Sequence, residues 1–206
     1  MVPKGFLFST VDAAIKKPGR KDLALIVSQR EARIAGMFTT NTVKAAPVKL
    51  DMDKIRSGRA QAVVVNSGNA NACTGKKGME DAREIVSLVA GGLMVKTSLV
   101  YMCSTGVIGV PLPMNRIRPS IPRLMHALGK STVGDVAKAI MTTDTFPKKV
   151  AKKVKVGRKT GTITGICKGA GMICPHMATM LCFIMTDIAI TTRTLRKTLQ
   201  DRKSVV

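Results

Sequence analysis

Short β-branched runs alternate with stretches of helical periodicity along this chain, and that alternation constrains its fold most strongly. Residues 62–65 are apolar throughout, as in a buried strand, and run directly into the motif Asn-Ser-Gly-Asn-Ala-Asn. Between residues 78 and 94, apolar side chains recur on one helical face. A second strand and helix are predicted at 99–102 and 120–128. Strands alternating with helices predict a layered α/β fold, here a single domain over residues 1–206.

The remaining elements follow the same two periodicities. A polar stretch at 28–31 predicts a hairpin turn between two short strands. Threonine or serine before a periodic stretch predicts a capped helix. The strands predicted in this way are 23–27, 33–38, 161–167 and 179–190. One predicted helix is capped by Ser131 or Thr132 and runs through residue 140. The other covers 195–203 and is capped by Thr191 or Thr192.

The charge balance is strongly basic. Thirty-four Lys and Arg against 12 Asp and Glu give +22, yet 45% of the residues are hydrophobic, which excludes a disordered tail. Aromatic residues make up 3%, too few for a platform on which single-stranded nucleic acid stacks. The basic run at 148–159 is interpreted as an edge strand guarded by lysines. Its alternative is a polyanion-binding face, which would bind nucleic acid non-specifically.

The chain carries no pattern of a membrane or secreted protein. Its richest apolar runs, 85–95 and 180–190, are about half the length that a bilayer requires. The five cysteines are odd in number and mostly lie in apolar segments, which favours reduced thiols in the cytoplasm. With two histidines and no Cys-x-x-Cys pair, a metal site is not expected, and His126 is interpreted as a helix-surface residue.

The segment 168–181 is the most unusual of the chain. Glycines, a proline and small residues precede a predicted strand, which allows close backbone approach. The hydroxyl of Thr179 is a nucleophile if a base lies beside it; otherwise Thr179 is an ordinary strand residue. Cys174 and His176 form a less suitable nucleophilic pair, because their backbones would lie roughly 6–7 Å apart in an extended segment.

Five motifs occur in order along the chain. They are Met-Phe-Thr-Thr-Asn (37–41), Asn-Ser-Gly-Asn-Ala-Asn-Ala-Cys-Thr-Gly (66–75), Ser-Thr-Gly-Val-Ile-Gly (104–109), Met-Thr-Thr-Asp-Thr (141–145), and Lys-Gly-Ala-Gly-Met-Ile (168–173) with Met-Ala-Thr-Met-Leu (177–181). Together they resemble the ornithine acetyltransferase family of arginine biosynthesis, the bifunctional glutamate N-acetyltransferases, over about residues 3–190. The resemblance covers the first half of a family member and implies a layered α-β-β-α sandwich, here truncated.

The resemblance implies self-cleavage between Ala178 and Thr179. Residues 1–178 are then equivalent to the first chain, and residues 179–206 to the start of the second. A freed α-amine has a pKa of about 7.7–8.0, so that it can act as the base for the hydroxyl of Thr179. Acetyl would move from N2-acetylornithine to Thr179 and then to glutamate, by a ping-pong mechanism.

The resemblance also implies the remaining site residues. The side chain of Thr105 and the N–H of Gly106 would form the oxyanion hole. Lys168 with Thr142, or with Thr143 as second choice, would bind substrate. No cofactor is implied, and acetyl-CoA as a second acetyl donor is left open. His176 stands where the family commonly has asparagine.

The expected partners are acetylornithine and glutamate, with either the missing half of the second chain or self-assembly into a hetero-oligomer. No membrane is expected as a partner, and nucleic acid only non-specifically. The alternative is an inactive, truncated relic or a basic nucleic-acid-binding module.

Overall fold

A four-stranded mixed sheet forms the centre of the molecule. The computed structural model describes residues 1–170 and 180–202. The strands lie in the order β1-β2-β3-β4, with the first two pairings antiparallel and the last parallel. Their bounds are β1 Phe6–Val11, β2 Leu23–Arg33, β3 Arg59–Asn69 and β4 Val100–Val107.

Helices cover one face of this sheet. Helix α1 (Ala46–Lys54) precedes β3, α2 (Gly75–Leu93) connects the parallel strands β3 and β4, and α3 (Met114–His126) follows β4. Ile85 of α2 and Ile117 of α3 are fully buried against the sheet. The apolar stripes of α2 and α3 therefore form one hydrophobic core with the strands.

A second sheet lies on the other face. Helix α4 (Val133–Ala139) leads into β5 (Lys148–Val156), β6 (Lys159–Lys168) and β7 (Leu181–Thr186), which pair antiparallel in that order. Buried side chains of both sheets and α4 share this second core: Phe8, Ile26, Val65, Val136, Ile140, Ile166 and Met185. The two sheets therefore stack, as the predicted sandwich requires.

The outward face of the second sheet remains open to solvent. Val150 is 69% exposed and Ile184 59% exposed. Helix α5 (Thr192–Arg202) lies instead beside the turn after α1, where the guanidinium of Arg196 donates to Ile55 O and Arg56 O at 3.2 Å each. The described residues thus form three layers, helix, sheet and sheet, of the four in the predicted α-β-β-α order.

Most predicted elements are confirmed, with changed bounds. The helix predicted at 78–94 is α2, the lysine-rich run at 148–159 contains the edge strand β5, and Thr132 caps α4. Residues 195–202 of the last predicted helix lie in α5.

Four expectations about the strands are wrong. The strand expected over 33–38 does not form, because β2 ends at Arg33 and residues 34–38 lie in no strand or helix. Residues 28–31 form no turn, because β2 continues through them to Arg33, with a bulge between Val27 and Ala32. The loop expected after residue 65 is strand to Asn69. The strand expected over 179–190 begins, among the described residues, at Leu181 and ends at Thr186.

No helix within 1–170 and 180–202 combines the length and the apolar character needed to cross a bilayer.

Candidate functional site

A buried lysine at the end of β6 brings together three of the predicted site residues. Lys168 is 4% exposed, and its Nζ donates to Thr142 Oγ1 at 2.8 Å and to Thr105 Oγ1 at 3.1 Å. Burial lowers the pKa of Lys168. A cation held by two hydroxyl groups is suited to bind an anionic oxygen. Thr143, the second choice for substrate binding, is exposed.

Thr105 and Gly106 lie where β4 runs beside the end of β3. Gly106 pairs with Gly68 and has a φ of +137°, which favours glycine. A Cβ atom at Gly106 would lie 2.3 Å from the carbonyl carbon of Gly68. Only glycine therefore lets the two strand ends approach this closely next to Thr105.

Asp144 fixes the backbone around the lysine. Its carboxylate accepts hydrogen bonds from the N–H of Gly169 at 2.7 Å, the N–H of Thr142 at 3.3 Å and Lys148 Nζ at 2.8 Å. Burial by itself would raise the pKa of Asp144, but these hydrogen bonds and the charge of Lys148 lower it to about 2. Asp144 is thus an ionised anchor for the segments that carry Thr142 and Lys168.

Asparagines of the motif at 66–71 hold the ends of β3 and β4 together. Ser104 Oγ and Asn66 Oδ1 lie 2.6 Å apart, and Asn66 Nδ2 donates to Asn69 O at 2.8 Å. Asn69 Nδ2 in turn donates to Val110 O at 2.9 Å. Sequence reasoning assigned no role to Asp144 or to these asparagines; the available signal was a polar run directly after an apolar strand.

The predicted nucleophile lies outside the described residues, as do Ala178, Cys174 and His176. The strands on either side of that segment are described. Lys168 at the end of β6 pairs with Leu181 at the start of β7, two residues after Thr179 in the sequence. The chain therefore leaves and re-enters the described structure beside Lys168.

The described histidine lies apart from this cluster. His126 is exposed on α3, as predicted, and accepts a hydrogen bond from Lys130 at 3.1 Å. Within 1–170 and 180–202, no three His, Cys, Asp or Glu side chains are grouped to hold a metal ion. The Lys168 cluster is thus the candidate site.

Known proteins resemble the chain over nearly all of its length. The ArgJ family model matches residues 7–205. The arginine biosynthesis bifunctional protein ArgJ of Geobacter sulfurreducens is 62% identical over 187 residues, which are 91% of this chain and 48% of that protein. The chain spans about half the length of the curated relatives that it matches.

Two solved structures have the same fold. The arginine biosynthesis bifunctional protein ArgJ of Bacillus halodurans superposes with a TM-score of 0.78 at 39% identity, covering 85% of this chain and 92% of that one. Ornithine acetyltransferase of Mycobacterium tuberculosis, solved in complex with ornithine, gives 0.73 at 37% identity, covering 84% and 92%.

Proposed function

The chain belongs to the ArgJ family, and on that premise we propose that it forms the first chain, and the start of the second, of an enzyme that transfers acetyl from N2-acetylornithine to glutamate. The observation that carries this proposal is the position of Lys168. It bonds both the predicted oxyanion residue Thr105 and the predicted substrate residue Thr142, and it pairs with the strand that begins just after Thr179.

The first step is self-cleavage. The hydroxyl of Thr179 attacks the carbonyl carbon of Ala178, the peptide C–N bond breaks, and an ester with a free Thr179 amine results. Water then hydrolyses the ester, which leaves a carboxylate on Ala178 and restores the hydroxyl of Thr179. Once it is freed, the neutral amine of Thr179 forms a catalytic pair with the hydroxyl of the same residue, so the acetyl transfer that follows needs no histidine.

The second step is acetyl transfer. The Thr179 amine accepts the hydroxyl proton while the oxygen attacks the acetyl carbonyl of acetylornithine. The hydroxyl of Thr105 and the N–H of Gly106 stabilise the oxyanion, and ornithine leaves with the proton. The amine of glutamate then attacks the acetyl ester and restores the hydroxyl of Thr179.

Lys168 and Thr142 have a binding role in this scheme. Both substrates carry carboxylates, and a buried ammonium group with an adjacent hydroxyl can replace the water lost on binding. Asp144 is already committed to Gly169, Thr142 and Lys148, so it positions the cluster without occupying the ammonium of Lys168.

The lengths of the related chains also support a cut near residue 178. The chain covers 92% of the solved Bacillus halodurans chain but about half of the full-length curated relatives. Both proportions are expected if the solved chain is a first chain, about as long as residues 1–178, and the full-length relatives also include a second chain of similar length.

The decisive experiment compares the purified chain with its Thr179→Ala variant by intact-mass measurement under denaturing, reducing conditions. We expect the parent to give two fragments, one ending at Ala178 and one beginning at Thr179, and the variant to remain whole. Thr160→Ala, at an exposed position of β6, is the matched control and should be cut like the parent. The same two fragments from Thr179→Ala would refute self-cleavage at this bond.

A further inference from the structure

Two cysteines lie directly opposite each other on neighbouring strands of the second sheet. Cys167 of β6 pairs with Cys182 of β7 in the antiparallel register. Opposed residues in such strands have Cα atoms about 4.5–5.5 Å apart, within the range of about 4.4–6.8 Å that a disulfide bridges. The register therefore gives the two cysteines a Cα separation that a disulfide can bridge.

Both thiols lie on the side of the sheet that faces solvent. Side chains alternate along β6, so Cys167 points away from the face on which Lys168 is buried. The same outward face carries the exposed Val150 and Ile184. Among the described residues Cys182 is exposed and Cys167 half-buried, so in this 206-residue chain a small molecule in solution can reach the pair.

Two lysines near the pair, Lys148 and Lys168, favour the thiolate form of Cys167. A hydrogen bond from the Cys182 thiol lowers the pKa of Cys167 to about 7, with help from Lys148 and Lys168 and against the effects of burial and Asp144. The same hydrogen bond raises the pKa of Cys182. A thiolate, and not a thiol, attacks disulfides. By contrast, burial raises the pKa of the Cys103 thiol.

We propose that Cys167 and Cys182 form a reversible cross-strand disulfide by exchange with a small disulfide such as oxidised glutathione. The Cys167 thiolate attacks one glutathione sulfur, the S–S bond of glutathione breaks, and a first glutathione thiolate leaves. Cys182 then attacks the sulfur of Cys167, loses its proton to solvent and releases the second glutathione. The two cysteines are oxidised by two electrons, and one glutathione disulfide is reduced to two thiols.

The position of this bridge gives it a specific consequence. Cys167 precedes and Cys182 follows the bond between Ala178 and Thr179 in the sequence. The bridge would therefore join the two products of self-cleavage covalently. This consequence rests on the proposed function, whereas the disulfide itself does not.

The test equilibrates the reduced chain with reduced and oxidised glutathione, blocks free thiols with iodoacetamide and measures intact mass before and after reduction. Before reduction, an uncut chain with the bridge is about 2 Da lighter than the same sample after reduction, because the disulfide lacks two hydrogens. A cut chain with the bridge gives one species before reduction and two fragments after it. A cut chain that gives two fragments without reductant would overturn the bridge but not the cleavage. A whole chain that lacks 2 Da supports the bridge and contradicts the cleavage.

Single substitutions assign the bridge to its two cysteines. We expect Cys182→Ser to keep glutathione on Cys167 as a stable mixed disulfide, because the resolving thiol is gone. Cys174→Ser is the matched control and should form the bridge as the parent does. A bridge that survives in Cys182→Ser, or that disappears in Cys174→Ser, would overturn the assignment.

Discussion

At the scale of single residues, the site depends on a charge buried where hydroxyl groups replace water. Removing water from an ammonium group is costly unless polar partners compensate. For Lys168 those partners are Thr105 and Thr142, and Asp144 lies close enough to favour the charged form. The same partners that stabilise the cation hold it in one position, which is what binding a carboxylate at a fixed place requires.

The proposed role of Lys168 predicts a loss of acetyl transfer in Lys168→Met, which keeps the length of the side chain and removes its charge. The variant should acetylate Thr179 from N2-acetylornithine about 10²–10³-fold more slowly, comparable to the loss of one oxyanion-hole donor. The measurement is the rate at which the Thr179 fragment gains one acetyl group by mass. Lys152→Met, on the exposed edge strand β5, should match the parent. Equal rates in the parent and in Lys168→Met would contradict the proposed role of Lys168 in binding substrate.

Part of this site could be predicted from the sequence, and part could not. Thr105, Thr142 and Lys168 stand in short motifs, and motif resemblance identified them without any knowledge of their contacts. Asp144 and Asn66 act through hydrogen bonds to segments remote in sequence, such as Asp144 with Gly169 and Asn66 with Ser104. Nothing in a local pattern encodes such pairings, because they arise only when the strand ends meet.

At the scale of elements, the errors of prediction have physical causes. The polar stretch 28–31 resembles a turn, yet it lies where β2 extends beyond the buried part of the sheet, so that its side chains are partly or fully exposed. The hydrophobic pattern did not predict helix α1, because this helix buries Asp51 together with Ala46 and Pro47 and has no stripe of large apolar residues. Strand β1 was missed because it buries Ser9 and Thr10 beside Phe8.

Helix α4 was predicted correctly because its start signal is local. Thr132 Oγ1 accepts from the N–H of Asp135 at 3.2 Å, and the Asp135 carboxylate accepts from the N–H of Thr132 at 2.8 Å. This reciprocal pair is a capping box. The helix ends at Ala139 and leads the chain directly into the segment that carries Thr142.

We expect Thr132→Ala to lower the free energy of unfolding by about 1 kcal/mol, because an N–H at the helix start loses its acceptor. Thr132→Ser keeps the hydroxyl and should unfold at nearly the parent's denaturant midpoint. Urea unfolding followed by circular dichroism provides the comparison. Identical midpoints for the alanine and serine variants would show that the capping box contributes nothing measurable.

At the scale of the whole molecule, stability should depend on a buried carboxyl group that joins α1 to β4. Asp51 is 4% exposed and accepts from the N–H of Met102 at 3.1 Å. Burial raises the pKa of Asp51 to about 7, against the opposing effects of that hydrogen bond and of Lys54. In the unfolded chain its pKa returns to about 3.9.

The folded protein therefore holds a proton on Asp51 between about pH 4 and 7 that the unfolded chain has released. Its free energy of unfolding is highest at the acid end of this window and falls as the pH rises towards 7, by a total on the order of 4 kcal/mol. In Asp51→Asn this decline should disappear, so that the variant is more stable than the parent above pH 7. Chemical denaturation from pH 5 to 8 tests both statements.

The neighbouring Asp53 provides the control for Asp51. It lies on the same helix but is exposed, and Asp53→Asn should keep the pH dependence of the parent. If the curve for Asp51→Asn ran parallel to that of the parent, the buried carboxyl group would not be the source of the dependence.

The pairing of β6 with β7 has a consequence for how a severed chain would behave. Six residues of β7 are aligned with β6, the guanidinium of Arg33 holds Ile190 O at 2.9 Å, and Asp187 accepts from the N–H of Lys4. Each of these contacts joins a residue before position 179 to a residue after it, so the contacts do not require an intact backbone at that position. If the chain is cut after it has folded, the new terminus at residue 179 forms within an assembled structure. The two fragments are then already bound to each other and need not associate from solution.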